Sequence, residues 1–386
     1  MYQLMKINDA LLINPPEKIL PNCACKKVPM DCVDAHIKRI KRWHNASFNG
    51  GSKFRNGDTI MARITPCLEN GKVAQVDFLR KDEVCFGSTE FIVFRGKDKV
   101  TINDFVYYVV TSSTFRQQAI ASMTGSTGRQ RVQVDILSDK KVYIPSIPIQ
   151  KRIVQILSPL DSKIDSNIEY IETLKTFRNL LYHRWFHRDI SDLPSDWKVK
   201  SFASFLIPST TKIGNINVPI YSATNNGISL REEKFNKVLS KSTKNNKMVV
   251  KDDLIFGLSR EILNFGVFKD EIGSVSPAYQ VFKIDTNIIL PNILELEIRT
   301  NMYKYMDILQ LGAREGQGIR KDYLLNKLFD VPPMELQLKF EEIAKPIEQK
   351  IVKLKEENEV LAEIRDTLLP KLMSGEIPVE VGEENA

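Results

Sequence analysis

Asn14-Pro15-Pro16-Glu17 holds the residue types that could most directly do chemistry. An Asn/Asp-Pro-Pro-aromatic turn can grip an exocyclic amino nitrogen for methyl transfer while its ring stacks on a flipped base. Here Glu17 occupies the aromatic position, and no strand with a glycine-rich turn lies upstream to hold a cofactor. A plain turn explains the segment. His183 and His187 stand four apart near a helix end, but no Glu follows His183 as a zinc-protease motif requires. Cys23, Cys25, Cys32 and His36 could be imagined around zinc, yet the Cys-x-Cys start and the missing second ligand pair argue against it. Five cysteines at irregular spacing do not make a disulfide framework. GAREGQG (Gly312–Gly318) does not spell a dinucleotide fingerprint, and no GxxxxGK[ST] loop occurs. Acid pairs such as Asp252-Asp253 lack a lysine at nuclease-like spacing. The chain reads as non-catalytic, with no metal and no cofactor of its own.

The elements that carry these residues are bounded by length and charge. A chain of 386 residues suggests two or three units, and 27% charged with 9% aromatic residues is ordinary globular composition. No stretch approaches the ~18 apolar residues of a membrane span. Asp9 and Glu17 interrupt the N-terminal apolar run and no small-residue cleavage site follows, so a cytoplasmic location is expected. Residues 1–143 carry 22 basic and 14 acidic side chains, whereas residues 331–386 carry 7 and 13. A basic front, a mildly basic segment at 191–330 and an acidic end point to a polyanion partner for the front and for 191–330.

Self-similarity organises the rest. Ile144–Phe186 and Val331–Met373 align without gaps at an offset of 187. The identical pairs are Pro145/Pro332, Gln150/Gln337, Ile156/Ile343, Pro159/Pro346, Lys163/Lys350, Ile164/Ile351, Glu169/Glu356, Glu172/Glu359, Leu174/Leu361, Arg178/Arg365 and Leu181/Leu368. Chance would supply about three. Each copy reads as a long amphipathic helix. Leu160, Ile164, Ile171 and Leu174 are expected to pair with Ile347, Ile351, Leu354 and Leu361, and Asn358 falls on the seam, where one polar residue can fix register. Pro159 and Pro346 are expected to begin the helices, with Ser158 as a cap, because interior proline breaks a helix. From Pro159 to Phe186 such a helix would be about 42 Å long.

The duplication continues upstream. GRQRVQVDIL (Gly128–Leu137) aligns with EGQGIRKDYL (Glu315–Leu324) at the same offset, FRNGDTIMARI parallels VVKDDLIFGLS, and GSTEFIVF parallels VSPAYQVF. SDLPSDWKV (Ser191–Val199) marks the start of the second domain. The expected order is a domain at 1–143, a helical segment at 144–190, a domain at 191–330, a helical segment at 331–375 and a flexible tail at 376–386.

GSTGRQRVQVDILSDKKVYIPSIPIQKRIVQIL, LLPKLMSGEI and LPSDWK resemble signatures of the specificity subunit of type I restriction–modification systems. The resemblance implies an α+β protein: two target-recognition domains separated by two long antiparallel, coiled-coil-like helices, with a pseudo-two-fold internal repeat. It implies a non-catalytic subunit that reads an asymmetric bipartite site in double-stranded DNA. It further implies two adenine methyltransferase subunits and restriction subunits as partners, with S-adenosylmethionine, ATP and Mg held on those partners. Arg and Lys can grip phosphates or pair with guanine, and Asn and Gln can pair with adenine. The expected DNA contacts are therefore Arg63, Thr65, Asn70, Lys72, Arg129, Gln130 and Arg131 in the first domain. In the second they are Arg260, Asn264, Arg314, Gln317 and Arg320. Two other readings are a methyltransferase resting on Asn14-Pro15-Pro16 and a coiled-coil scaffold that binds protein. The resembled signatures start the first domain abruptly at Tyr2-Gln3-Leu4, without the Leu-Pro…Trp segment that precedes the second.

Overall fold

The computed structural model describes residues 2–126, 128–187, 194–231, 243–259, 262–309 and 318–379. They divide into two compact units, Met1–Ile171 with Val352–Ala386, and Glu172–Ile351. Each unit contains one α+β domain and parts of two long helices.

The two domains repeat one another strand by strand. In the first, a four-stranded antiparallel sheet runs in the order Leu11–Ile13, Phe91–Gly96, Thr59–Ala62, Val73–Gln75. In the second, the order is Leu206–Ser209, Gln280–Ile284, Leu254–Phe256, Phe265–Val267. The central strands are buried throughout, as their continuous apolar runs require. An aspartate turns the chain into the same strand each time. Asp58 accepts the Arg55 N–H at 2.8 Å and Asp253 accepts the Val250 N–H at 2.9 Å. Asp58 also pairs with Arg95 at 2.6 Å, whereas burial pushes the Asp253 carboxyl up. A two-stranded antiparallel pair then leads into each long helix: Tyr2–Lys6 with Lys141–Pro145, and Lys198–Ser201 with Leu328–Val331. Tyr2–Lys6 thus fills the place of Lys198–Ser201, and Trp197, just before the latter, packs its ring 6.2 Å from Phe186.

The domains diverge outside this frame. The first adds a mixed sheet in the order His44–Ser47, Ala24–Val28, Val84–Gly87, Lys53–Arg55. The second adds two separate antiparallel pairs, Tyr221–Thr224 with Gly227–Leu230 and Lys247–Val250 with Ile272–Val275.

The helices start earlier than their prolines suggest. They run Ile147–Phe186 and Met334–Ser374, 40 and 41 residues, with Pro159 and Pro346 inside. A proline removes the donor to the carbonyl four residues back. Those residues, Gln155 and Glu342, are exposed, as are both prolines, so water can satisfy the carbonyls. Burial of the opposite face carries the helices through. The first helix accommodates Pro148 in its first turn, where a missing N–H costs no helical bond.

One glutamine per copy ties helix to domain. Gln150 is fully buried; its Oε1 accepts the Ile102 N–H at 3.0 Å, and its Nε2 donates to Val100 O at 2.7 Å and Pro145 O at 2.8 Å. Gln337, also fully buried, accepts the Leu290 N–H at 2.8 Å and donates to Ile288 O at 3.0 Å and Pro332 O at 2.9 Å. The carbonyls and N–H groups served are equivalent in the two copies.

Ion pairs on the helices repeat with the copies exchanged. In the first unit Asp161 accepts from Arg365 at 2.9 Å and from the Tyr108 hydroxyl at 2.7 Å. In the second unit the offset partners, Glu348 and Arg178, are joined. Asn167 donates to Asn358 at 2.8 Å between the two helices. With 161 facing 365 and 167 facing 358, the first unit's helices are antiparallel; in the second, Phe186 meets Phe340 at 5.1 Å and Arg178 meets Glu348. Ile164, Ile171, Ile351 and Leu354 are buried, and Leu160, Leu174, Ile347 and Leu361 half-buried.

Asp165 supplies a pH-dependent term beside these pairs. Its carboxylate is 5% exposed, lies 3.5 Å from Arg39 and 4.0 Å from Lys41, and has no hydrogen bond. Burial pushes its pKa up to about 6, against the pull of Lys41 and Arg39 and with Asp161 and Asp77 adding repulsion. A carboxyl whose folded pKa lies above its unfolded value binds more protons when folded, so stability falls as pH rises from about 4 to 6. Asp165→Asn should flatten that slope and raise unfolding free energy at pH 7 by up to about 3 kcal/mol. Urea titrations at pH 4.5 and 7.5 test this; a variant equally destabilised at both pH values would refute it.

Candidate nucleic-acid interface

In the first domain two loops are sewn together. The Thr65 N–H donates to Gln130 O at 3.0 Å, the Gln130 N–H donates to the Thr65 hydroxyl at 3.0 Å, and Ile64 bridges to Arg131. The Arg63 guanidinium reaches Val132 O at 3.3 Å. Arg131 donates to Glu90 from Nε at 2.9 and 3.0 Å and from Nη2 at 2.8 Å. Arg63, Thr65, Gln130 and Arg131 are thus brought to one place, with Arg129 exposed beside them. Asn70 is exposed on the turn that follows, and Lys72 donates to Met30 O at 2.8 Å. Thr65 is buried and Lys72 is engaged by backbone, so both help to shape the loops they stand on.

In the second domain Asn264 donates to Leu258 O at 2.7 Å while its own N–H donates to the Ser259 hydroxyl at 2.8 Å. Arg320 donates to Asp307 O and lies over the Tyr323 ring, 3.7 Å from its centroid. Arg260, Arg314 and Gln317 lie outside the described residues.

Sequence reading missed Glu90, because it looked for donors to DNA and not for the carboxylate that would orient one. On the sheet found only in the first domain, Lys26 pairs with Glu83 at 2.9 Å and its ammonium sits 5.9 Å from the Trp43 ring and 5.8 Å from Phe78. Trp43 stacks on Phe78 at 4.3 Å and is exposed.

The residues weighed for catalysis have structural work. The Asn14 side chain accepts the Val93 N–H at 3.0 Å while its N–H donates to Val93 O at 2.8 Å, so it caps a strand edge. Glu17 pairs with Arg95 at 2.7 Å. His183 and His187 stack 4.2 Å apart. Among the described residues no group of three His, Cys, Asp or Glu side chains could hold a metal, and no helix is long and apolar enough to cross a membrane.

These features define a tandem duplication in which each copy joins an α+β domain to one long helix. Residues 48–176 match the family model of the type I restriction modification DNA specificity domain. The chain spans about a third of the length of the first two curated relatives that it matches. It is 30% identical over 185 residues to the type I restriction enzyme EcoAI specificity subunit of Escherichia coli, a match covering 45% of this chain and 31% of that one. The match to the EcoEI specificity subunit of the same organism likewise covers 32% of that protein. Identity to the MjaIX specificity subunit of Methanocaldococcus jannaschii is 24% over 317 residues, covering 74% of this chain and 71% of the relative. The crystal structure of the type I restriction–modification S subunit from M. genitalium superposes with a TM-score of 0.54 at 15% identity, over 97% of this chain and 96% of that one. That likeness supports the fold.

Proposed function

We propose that this chain is the DNA sequence-specificity subunit of a type I restriction–modification complex, located in the cytoplasm. It reads an asymmetric bipartite site with two domains and recruits two adenine methyltransferase subunits, with restriction subunits in the full complex. The match of residues 48–176 to a DNA specificity domain, on a sheet frame that the second copy repeats, is the observation that carries this reading. Two related but divergent domains call for two unlike half-sites: Arg129 and Arg131 face Gly316 and Gly318 in the alignment, although Gln130 and Gln317 are alike. Exposed apolar side chains on the long helices, among them Phe177 and Leu180, support protein partners there.

Expressing the chain with its methyltransferase partner and sequencing genomic methyladenine should return a two-part motif with a fixed spacer. Replacing residues 1–143 by the corresponding domain of a relative should change one half only. Change in both halves would contradict separate readers, and methylation without a bipartite motif would contradict the function. The isolated chain should neither methylate nor cleave DNA. Methyl transfer by the purified chain, abolished by Asn14→Ala, would instead establish the enzyme reading. Failure of the complex to bind duplex DNA in a salt-dependent way would favour a protein-binding scaffold.

A further inference from the structure

The duplicated frame offers an internal control for which polar contacts are structural. Several contacts that hold the fold recur in both copies: the aspartates at 58 and 253, the glutamines at 150 and 337, and the ion pairs joining 161 to 365 and 348 to 178, while the buried pairing of Asp58 with Arg95 is a feature of the first. The bidentate pair of Glu90 and Arg131 does not recur. The turn before the strand Phe91–Gly96 sets the alignment, because Phe91 N donates to Ser88 O at 3.2 Å and Glu90 N to the Ser88 hydroxyl at 3.1 Å. In the second domain Tyr279 N donates to Ser276 O at 3.0 Å and Ala278 N to the Ser276 hydroxyl at 3.4 Å. Ala278 therefore occupies the place of Glu90. Gly318 occupies the place of Arg131, since Gln133 N donates to Ser122 O as Arg320 N donates to Ile308 O. Both members of the pair are replaced together while the backbone that carries them is kept. The second domain keeps this turn without the pair.

What the pair does to Arg131 is specific. Glu90 binds the Nε and Nη2 side of the guanidinium and leaves Nη1 and the outer hydrogen of Nη2 directed away from the carboxylate. The arginine side chain is 43% exposed and the glutamate 24%, so the free edge faces solvent on a carboxylate that is itself partly covered. The backbone beneath is fixed by the Thr65–Gln130 bonds and the Ile64 bridge. An arginine fork held in one plane on a tied loop matches the O6 and N7 acceptors of guanine in the major groove. A phosphate contact needs no such orientation.

We propose that Arg131 reads a guanine in the half-site of the first domain and that Glu90 is its positioning residue. This rests on the specificity-subunit reading above. Arg131 is then a specificity determinant with no counterpart in the second domain.

The test uses the full chain with its methyltransferase partner, genomic methyladenine maps, and competition binding of the purified complex on duplexes substituted at each base pair of the mapped site. In Arg131→Ala, one G·C position in the half governed by residues 1–143 should become degenerate, its preference falling about 10-fold or more. Every other position should stay as in the wild type. Glu90→Ala should relax the same position and no other. Arg131→Lys keeps a cation beside Glu90 but loses the planar fork, so it should also lose that guanine preference while binding and folding persist. An unchanged motif in Arg131→Lys and Arg131→Ala overturns the inference, as does uniformly weaker binding with base preferences intact. A wild-type complex that directs no bipartite methylation overturns the function itself; a bipartite wild-type motif with unaltered variants overturns only the role of this pair.

Discussion

Replacing Arg365 by methionine should lower the unfolding free energy of the first unit by about 3–5 kcal/mol, because it strands a buried carboxylate. Asp161 is 3% exposed, and after the change only the Tyr108 hydroxyl would still donate to it. The second unit supplies the control. Arg178 and Glu348 occupy the offset positions, yet their side chains are 12% and 30% exposed. Water can solvate Glu348 when its partner is removed, so Arg178→Met should cost only about 1 kcal/mol. Asp161→Asn combined with Arg365→Met removes the stranded charge and should recover much of the loss. Native-state hydrogen exchange under increasing urea, read separately on amides of the two units, gives both numbers. Equal costs for Arg365→Met and Arg178→Met would show that burial is not what sets the strength of these pairs.

The same comparison shows what the sequence could reveal. The duplication was legible because fold-bearing polar groups tolerate few substitutes: a buried glutamine serving one donor and two acceptors reappears as glutamine, and the strand-opening aspartate as aspartate. Identity alone does not align Asp161 with Glu348, although it does align Arg178 with Arg365, and Asp161 reads from sequence as a first-turn acid and not as an ion-pair partner. The helix starts were misplaced because a proline was weighed without knowing which face it occupies. On the exposed face, with the affected carbonyl open to water, Pro159 interrupts one bond and no more. The candidate interface was legible only as a neighbourhood. Loops 63–72 and 129–131 do converge, but residue type alone could not separate Thr65, which fastens them, from Arg131, which presents a free edge. The carboxylate that separates the two roles lies 41 residues away in sequence.

Gln150→Leu should destabilise the first unit by about 3–5 kcal/mol, and Gln337→Leu the second by a similar amount. Leucine fills the volume, so little of this loss comes from a cavity. The cost comes from the groups left behind. Without the Gln150 amide, the Ile102 N–H and the Val100 and Pro145 carbonyls lose a buried partner, and each such group costs roughly 1–3 kcal/mol. Gln150→Glu separates donor from acceptor. An ionised glutamate could still accept the Ile102 N–H, but it would present oxygen to two carbonyls and add a desolvated charge. It should therefore be at least as destabilising as leucine at pH 8 and recover partly near pH 4, where a protonated carboxyl can donate to one carbonyl. Because Ile102 caps the domain helix Asn103–Thr111 and Pro145 ends the strand that leads into the long helix, the loss should fall where domain meets helix. Amides of residues 100–106 should lose exchange protection first, ahead of the central sheet strand Thr59–Ala62. Uniform loss of protection across the first unit, or a leucine variant as stable as the wild type, would show that these glutamines do not hold the junction.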